Sequence, residues 1–92
     1  MEIKPDYIED LLKKTETALA SIEVLKPEGE KIKDMASRYI SDSRHFLEQG
    51  ELVSSLGAVE YAHGLLDAGI GAGVLKVSGN SDLFVFADEQ IE

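Results

Sequence analysis

The sequence predicts an all-α protein: an antiparallel up-and-down three-helix bundle followed by a short C-terminal tail that is extended or forms a hairpin. Apolar residues recur at steps of three and four along three long segments, which is the pattern of amphipathic helices. Proline or glycine stands at the boundaries between these segments. The 92 residues suffice for one domain. We expect the bundle to occupy residues 1–75 and the tail residues 76–92, docked on the bundle or on a partner.

The first helix is predicted over residues 5–25. Pro5 suits the first helical position, where its missing N–H costs nothing, and Asp6 places negative charge at the positive end of the helix dipole. Lys26 precedes Pro27, and a residue before proline is disfavoured in the α region, so the helix should end there. The apolar stripe consists of Ile8, Leu11, Leu12, Ala18, Leu19, Ile22 and Leu25.

The second helix is predicted over residues 28–49. Pro27 stands at its start, and Gly50 is suited to the left-handed conformation that commonly follows a helix. Its short connections to the neighbouring helices force an antiparallel arrangement. The stripe consists of Ile32, Met35, Ala36, Tyr39, Ile40, Ser43, Phe46 and Leu47.

The third helix, predicted over residues 51–73, is apolar nearly all round and should therefore be the central element. One stripe consists of Leu52, Leu56, Val59, His63, Leu66, Ile70 and Val74, and a second of Ala58, Tyr61, Ala62, Leu65, Ala68 and Ala72. Gly57, Gly64 and Gly71 recur every seven residues. This glycine line indicates either a close approach of another backbone or a weakened, partly exposed helix.

The tail departs from helical periodicity. Residues 78–82 are typical of a turn, and residues 83–86 form a short β-prone run. Two interpretations are equally compatible with this pattern. The run pairs with residues 74–77 as a hairpin, or it docks on the bundle as an extended segment.

The charge balance excludes several functions. There are 18 acidic and 9 basic residues, a net charge of −9, which repels nucleic-acid phosphates and anionic lipid surfaces. We therefore expect no direct nucleic-acid binding and no membrane association. The absence of cysteine excludes disulfides and thiolate chemistry. The acidic first residues lack the pattern of a signal peptide, so we expect a cytoplasmic protein.

The most suggestive polar set is Glu60, His63 and Asp67, which share one side of the third helix. Glu60 and His63 have the Glu-x-x-His spacing of di-iron bundles, and Asp42 and His45 have a similar spacing. His45 points away from the stripe of its helix, and the first helix offers no inward Glu. We therefore expect no metal, no cofactor and no catalytic residue, with His63 a structural, mostly buried histidine.

The segment from Tyr39 to Leu75 resembles an archaeal family of uncharacterised proteins, the domain of unknown function numbered 357. The matching motifs are Phe46-Leu47-Glu48-x-Gly50 and Glu60-Tyr61-Ala62-His63-Gly64-x-Leu66-Asp67-Ala68-Gly69. Family members commonly have Asp in place of Glu51 and often Trp in place of Leu65. The resemblance implies a short helical bundle in an archaeal cytoplasm and implies no reaction.

Our leading functional hypothesis is a non-catalytic protein-interaction module that self-associates as a homodimer through the third helix, the tail or both. The alternative is a small-ligand-binding or enzymatic domain with a site around Tyr61, His63 and Asp67. A third hypothesis, an accessory subunit of a nucleic-acid complex, requires a basic partner protein. The candidate ligand or interface residues are Gly57, Glu60, Tyr61, His63, Gly64 and Asp67.

Overall fold

A computed structural model describes residues 2–79 and 81–84. The elements are α1 (Pro5–Ala20), β1 (Ile22–Val24), α2 (Pro27–Glu48), α3 (Leu52–Gly71), β2 (Leu75–Val77) and a 3₁₀ turn (Ser81–Leu83). The predicted three-helix, all-α architecture is confirmed. The bounds of α2 and α3 lie within two residues of the prediction.

Backbone chemistry sets the helix boundaries. Pro5 and Pro27 are the first residues of α1 and α2, and the residue before each is extended, as proline requires. Gly50 follows α2 with a φ of +78°, which favours glycine. Glu51 makes no side-chain capping bond to α3.

The prediction that the first helix reaches residue 25 is wrong, because α1 ends at Ala20. The next residues form β1, which pairs antiparallel with β2 in the register Ile22 to Val77 and Val24 to Leu75. The Leu25 N–H donates to the Val74 carbonyl and extends this pairing. Backbone pairing with a strand some fifty residues away therefore outweighs the local helical pattern.

Among the described residues β2 pairs with β1, and a hairpin of residues 74–77 with residues 83–86 stays a prediction. Residues 85 and 86 lie outside the described part of the chain. Before them, Ser81–Leu83 forms the 3₁₀ turn, and Phe84 is buried in the core.

The core lies between the three helices, and α3 contacts both α1 and α2. Its buried members are Ile8, Leu12, Ala18, Ile22, Ala36, Ile40, Val59, Ala62, Leu66, Ile70, Leu75 and Phe84. Gly29 is buried at the start of α2, where a Cβ would collide with the carbonyl oxygen of Val74. Only glycine lets the turn before β2 pack so closely on α2.

Two polar contacts join the helices in pairs. The Ser43 hydroxyl on α2 donates to the Ser55 carbonyl oxygen at 2.7 Å, and the Ser55 hydroxyl on α3 donates to the Ser43 carbonyl oxygen at 2.7 Å. On the outside, Arg44 of α2 binds Glu9 and Glu16 of α1 at 3.3 and 2.6 Å. Hydrogen bonds between buried serines thus join α2 to α3, whereas ion pairs at the surface join α1 to α2.

Candidate functional site

The outer face of α3 is mostly apolar and lined with small residues, with Glu60 exposed among them. Val53 is 75% exposed and Tyr61 is 51% exposed. Gly57, which lies between them in the sequence, and Gly64, which follows Tyr61, are also exposed. A Cβ added at Gly57 or Gly64 would meet no atom within 4 Å. The described residues therefore leave the glycine line open to the outside.

An aromatic groove lies between α2 and α3. Its volume is about 460 Å³, and its lining residues are Tyr39, Phe46, Ser54, Gly57, Ala58 and Tyr61. The Tyr39 and Tyr61 rings meet edge to face, with centroids 4.7 Å apart and planes at 71°, a favourable aromatic geometry. Because Gly57 has no side chain, the groove remains open between these rings and Phe46.

His63 belongs to the opposite side of α3. Its ring stacks on Phe84, with centroids 4.9 Å apart and planes at 16°. A cavity of about 210 Å³ beside it is lined by Leu11 of α1 together with Glu60 and Gly64. The His63 Nδ1 atom is buried and has no hydrogen-bond partner among the described residues, although the residue as a whole is only partly buried.

A second cavity on the α1 side, of about 440 Å³, lies where the N-terminal residues meet α3. It is lined by Glu2, Ile3, Lys4, Tyr7, Leu56 and Glu60. Tyr7 is 57% exposed at its edge. The outer ridge of α3 is formed by the exposed residues Gly57, Glu60 and Gly64. It has the aromatic groove on its α2 side and the two cavities on its α1 side.

The six candidate residues divide between these surfaces. Gly57 and Tyr61 border the aromatic groove, whereas His63 borders the smaller cavity beside Leu11 of α1. The fold therefore does not bring Tyr61 and His63 into one site. Glu60 and Gly64 lie on the outer ridge beside His63, and Asp67 is partly buried. Among the described residues, no three His, Cys, Asp or Glu side chains are placed to hold a metal ion.

Sequence reasoning missed the contribution of α2 to this surface. Met35, assigned to the core stripe, is 44% exposed. Tyr39 and Phe46 line the groove, and Tyr39 also packs against the core. The signal was present in their spacing. Met35, Tyr39 and Phe46 stand at i, i+4 and i+11, which places them on one edge of the helix.

Fold and surface together define a small three-helix protein with an apolar outer face. No helix in the described part of the chain is long and apolar enough to cross a membrane. The chain belongs to the family described as protein of unknown function (DUF357), whose model matches residues 8–75. No curated protein and no solved structure matches the chain.

Proposed function

We propose that this protein is a non-catalytic protein-interaction module that acts in the cytoplasm and self-associates as a homodimer through the outer face of α3. The observation that carries the proposal is the exposure of Val53 and Tyr61 on the same helix as the open glycine positions. Large exposed apolar residues that share a face are typical of interaction sites.

Two features of α3 support contact with another chain. Its only charged residues are Glu60 and Asp67, so little charge would have to be desolvated on binding. Each glycine inside a helix costs about 0.5–1 kcal/mol relative to alanine. Packing among the described residues does not require glycine at positions 57 and 64, whereas glycine there would let a second backbone approach closely.

Light scattering coupled to size exclusion tests the proposal. We expect a mass of about twice the 10.0 kDa chain at micromolar concentration. Gly64→Glu should split this dimer, because it places a long charged side chain on the outer ridge. A mass near 10.0 kDa at every concentration would contradict self-association.

Gly64→Ala is the matched control for Gly64→Glu, because it changes the same position without adding a charge. Since space is open at Gly64, alanine should stabilise the monomer by about 0.5–1 kcal/mol in urea unfolding. Gly64→Glu should keep its far-UV helicity. A loss of helicity would mean that the position faces the protein's own core.

The alternative function is a small-ligand or enzymatic site around Tyr61, His63 and Asp67. The buried Nδ1 of His63, which no described residue partners, favours it, because a ligand that donates a hydrogen bond would satisfy this atom. A bound small molecule would appear in native mass spectrometry as added mass that acid denaturation removes.

A further inference from the structure

We infer that the aromatic groove between α2 and α3 is covered by the same groove of a second copy, so that two α2–α3 hairpins pack face to face as a four-helix arrangement. The inference rests on the proposed self-association and specifies its surface. It assigns the interface to the α2 side of the α3 ridge, so that the interface reaches the α1-side cavity beside His63 only at Gly64.

The α2–α3 hairpin has two faces, and the described chain covers one of them. On the covered face, α1 buries Ile8 and Leu12 in the core, and Arg44 binds Glu9 and Glu16 across the edge. On the other face lies the groove with Tyr39, Phe46 and Tyr61. A helix pair with apolar residues on both faces requires cover on both.

The residues on the open face have the spacing of helix-bundle contacts. On α2 they stand at i, i+4, i+7 and i+11, and on α3 the same spacing recurs, which is the seam pattern of packed helices. The α2 row is Met35, Tyr39, Asp42 and Phe46, and the α3 row is Gly57, Tyr61, Gly64 and Ala68.

The two rows complement each other in shape. The α2 row carries three bulky side chains, and the α3 row is small except for Tyr61. When the face meets its own copy, bulky residues of one α2 can lie over small residues of the other α3. A two-fold interface requires this kind of self-complementary patch.

Charge and area are also consistent with a second copy. The net charge of −9 would oppose pairing if it lay on the contact face, but Asp42 is the only charged member of either row. The two helices have 22 and 20 residues, so their joint face measures about 30 by 20 Å. Two such faces would bury about 1,200 Å², which is at the lower end for a stable interface.

Asp42 offers a test of this interface, because it is the charged residue in the α2 row. It lies between Tyr39 and Phe46 in the α2 row, and it is exposed. Pairing of the two grooves would bring two Asp42 carboxylates into one apolar contact, which disfavours it. Asp42→Asn removes both charges with little change of shape, so it should tighten the dimer.

Sedimentation equilibrium with a matched pair of tyrosine variants tests the inference. Tyr61 and Tyr7 are similarly exposed, but Tyr61 borders the groove and Tyr7 lies on the α1 side. We expect Tyr61→Lys to weaken the dimer at least about tenfold, as for an aromatic anchor, and Tyr7→Lys to leave it unchanged. Because lysine lowers the net negative charge, general repulsion cannot explain a weaker dimer.

The outcomes separate the inference from the proposed function. An unmodified chain that stays monomeric contradicts both. A dimer that Tyr7→Lys splits and Tyr61→Lys spares overturns the inference, since the interface then lies on the α1 side, while self-association stands. A dimer that Asp42→Asn does not tighten and Tyr61→Lys does not weaken overturns it as well. Unchanged far-UV helicity in each variant shows that the effect is on association.

Discussion

At the scale of the residue, the buried hydroxyls of Ser43 and Ser55 show how polar groups are accommodated in this core. Each hydroxyl donates to the carbonyl oxygen of the other residue, and the two Oγ atoms are 3.1 Å apart. Small side chains at both positions let α2 and α3 come close at the hairpin end. A buried hydroxyl without a partner would instead cost free energy.

We predict that Ser43→Ala lowers the free energy of unfolding by about 1 kcal/mol relative to Ser41→Ala, because it removes an interhelical hydrogen bond. Ser41 is exposed on the same helix, so the gain in helix propensity from alanine is common to both variants. Urea denaturation followed by circular dichroism measures the difference. Equal stabilities of the two variants would contradict a role for this hydrogen bond.

Individual residues also show which parts of the candidate site could be predicted from the sequence. The spacing of Gly57, Gly64 and Gly71 predicted either a close approach of another backbone or a weakened, partly exposed helix. Among the described residues, no atom stands within 4 Å of a Cβ added at Gly57 or Gly64. The spacing of Met35, Tyr39 and Phe46 placed them on one edge of α2, but spacing alone did not say whether that edge is covered. Which edge of α2 is covered depends on where α1 packs.

At the scale of the element, Arg44 ties α1 to α2. Its guanidinium donates to Glu16 at 2.9 and 2.6 Å and to Glu9 at 3.3 and 3.4 Å. The hydrogen bonds from Arg44 lower the pKa of Glu16 below its ordinary value, and those to Glu16 raise the pKa of Arg44. The Glu16 side chain is 40% exposed, so solvent screens much of this interaction.

The lowered pKa of Glu16 predicts a pH dependence of stability. A carboxyl group with a lower pKa in the folded state stabilises the protein above its unfolded pKa, and this contribution is lost as the pH falls through the folded pKa. Glu16→Gln should therefore cost about 0.5–1 kcal/mol at pH 7 after the screening is allowed for. The cost should begin to fall as the pH drops below the ordinary pKa of 4.5, and it should disappear only below the lowered pKa of the folded state.

Urea unfolding of the wild type and Glu16→Gln from neutral to acidic pH measures this difference. Glu30→Gln is the control, because Glu30 is exposed at the start of α2. A cost for Glu16→Gln that persists unchanged in acid would show that packing, rather than the ion pair, stabilises the α1–α2 contact.

At the scale of the whole molecule, the net charge of −9 and the apolar outer face act in opposite directions. Two copies repel each other at long range, whereas contact buries apolar area. The repulsion is screened by salt, since the screening length falls from about 30 Å at 0.01 M to about 3 Å at 1 M. The balance between the two should therefore depend on ionic strength.

We predict that the proposed dimer tightens as sodium chloride rises from about 0.01 M to about 1 M. The physical reason is that salt screens the repulsion between two acidic chains and leaves apolar contact intact. Sedimentation at a series of salt concentrations measures the effect, and Tyr61→Lys serves as the variant with a weakened apolar contact. A dimer that dissociates in high salt would instead indicate ion pairs across the interface.

The three helices could be predicted from the sequence, because their causes are local. Apolar periodicity indicates α2 and α3, and Pro5, Pro27 and Gly50 set boundaries through backbone sterics that need no tertiary contact. The pairing of residues 22–24 with residues 75–77, which ends the first helix early, depends on tertiary contacts. A strand depends on its partner, and that partner lies some fifty residues away. The open groove beside Tyr61 has the same origin, because covering one face of the hairpin with α1 is what leaves the other face exposed.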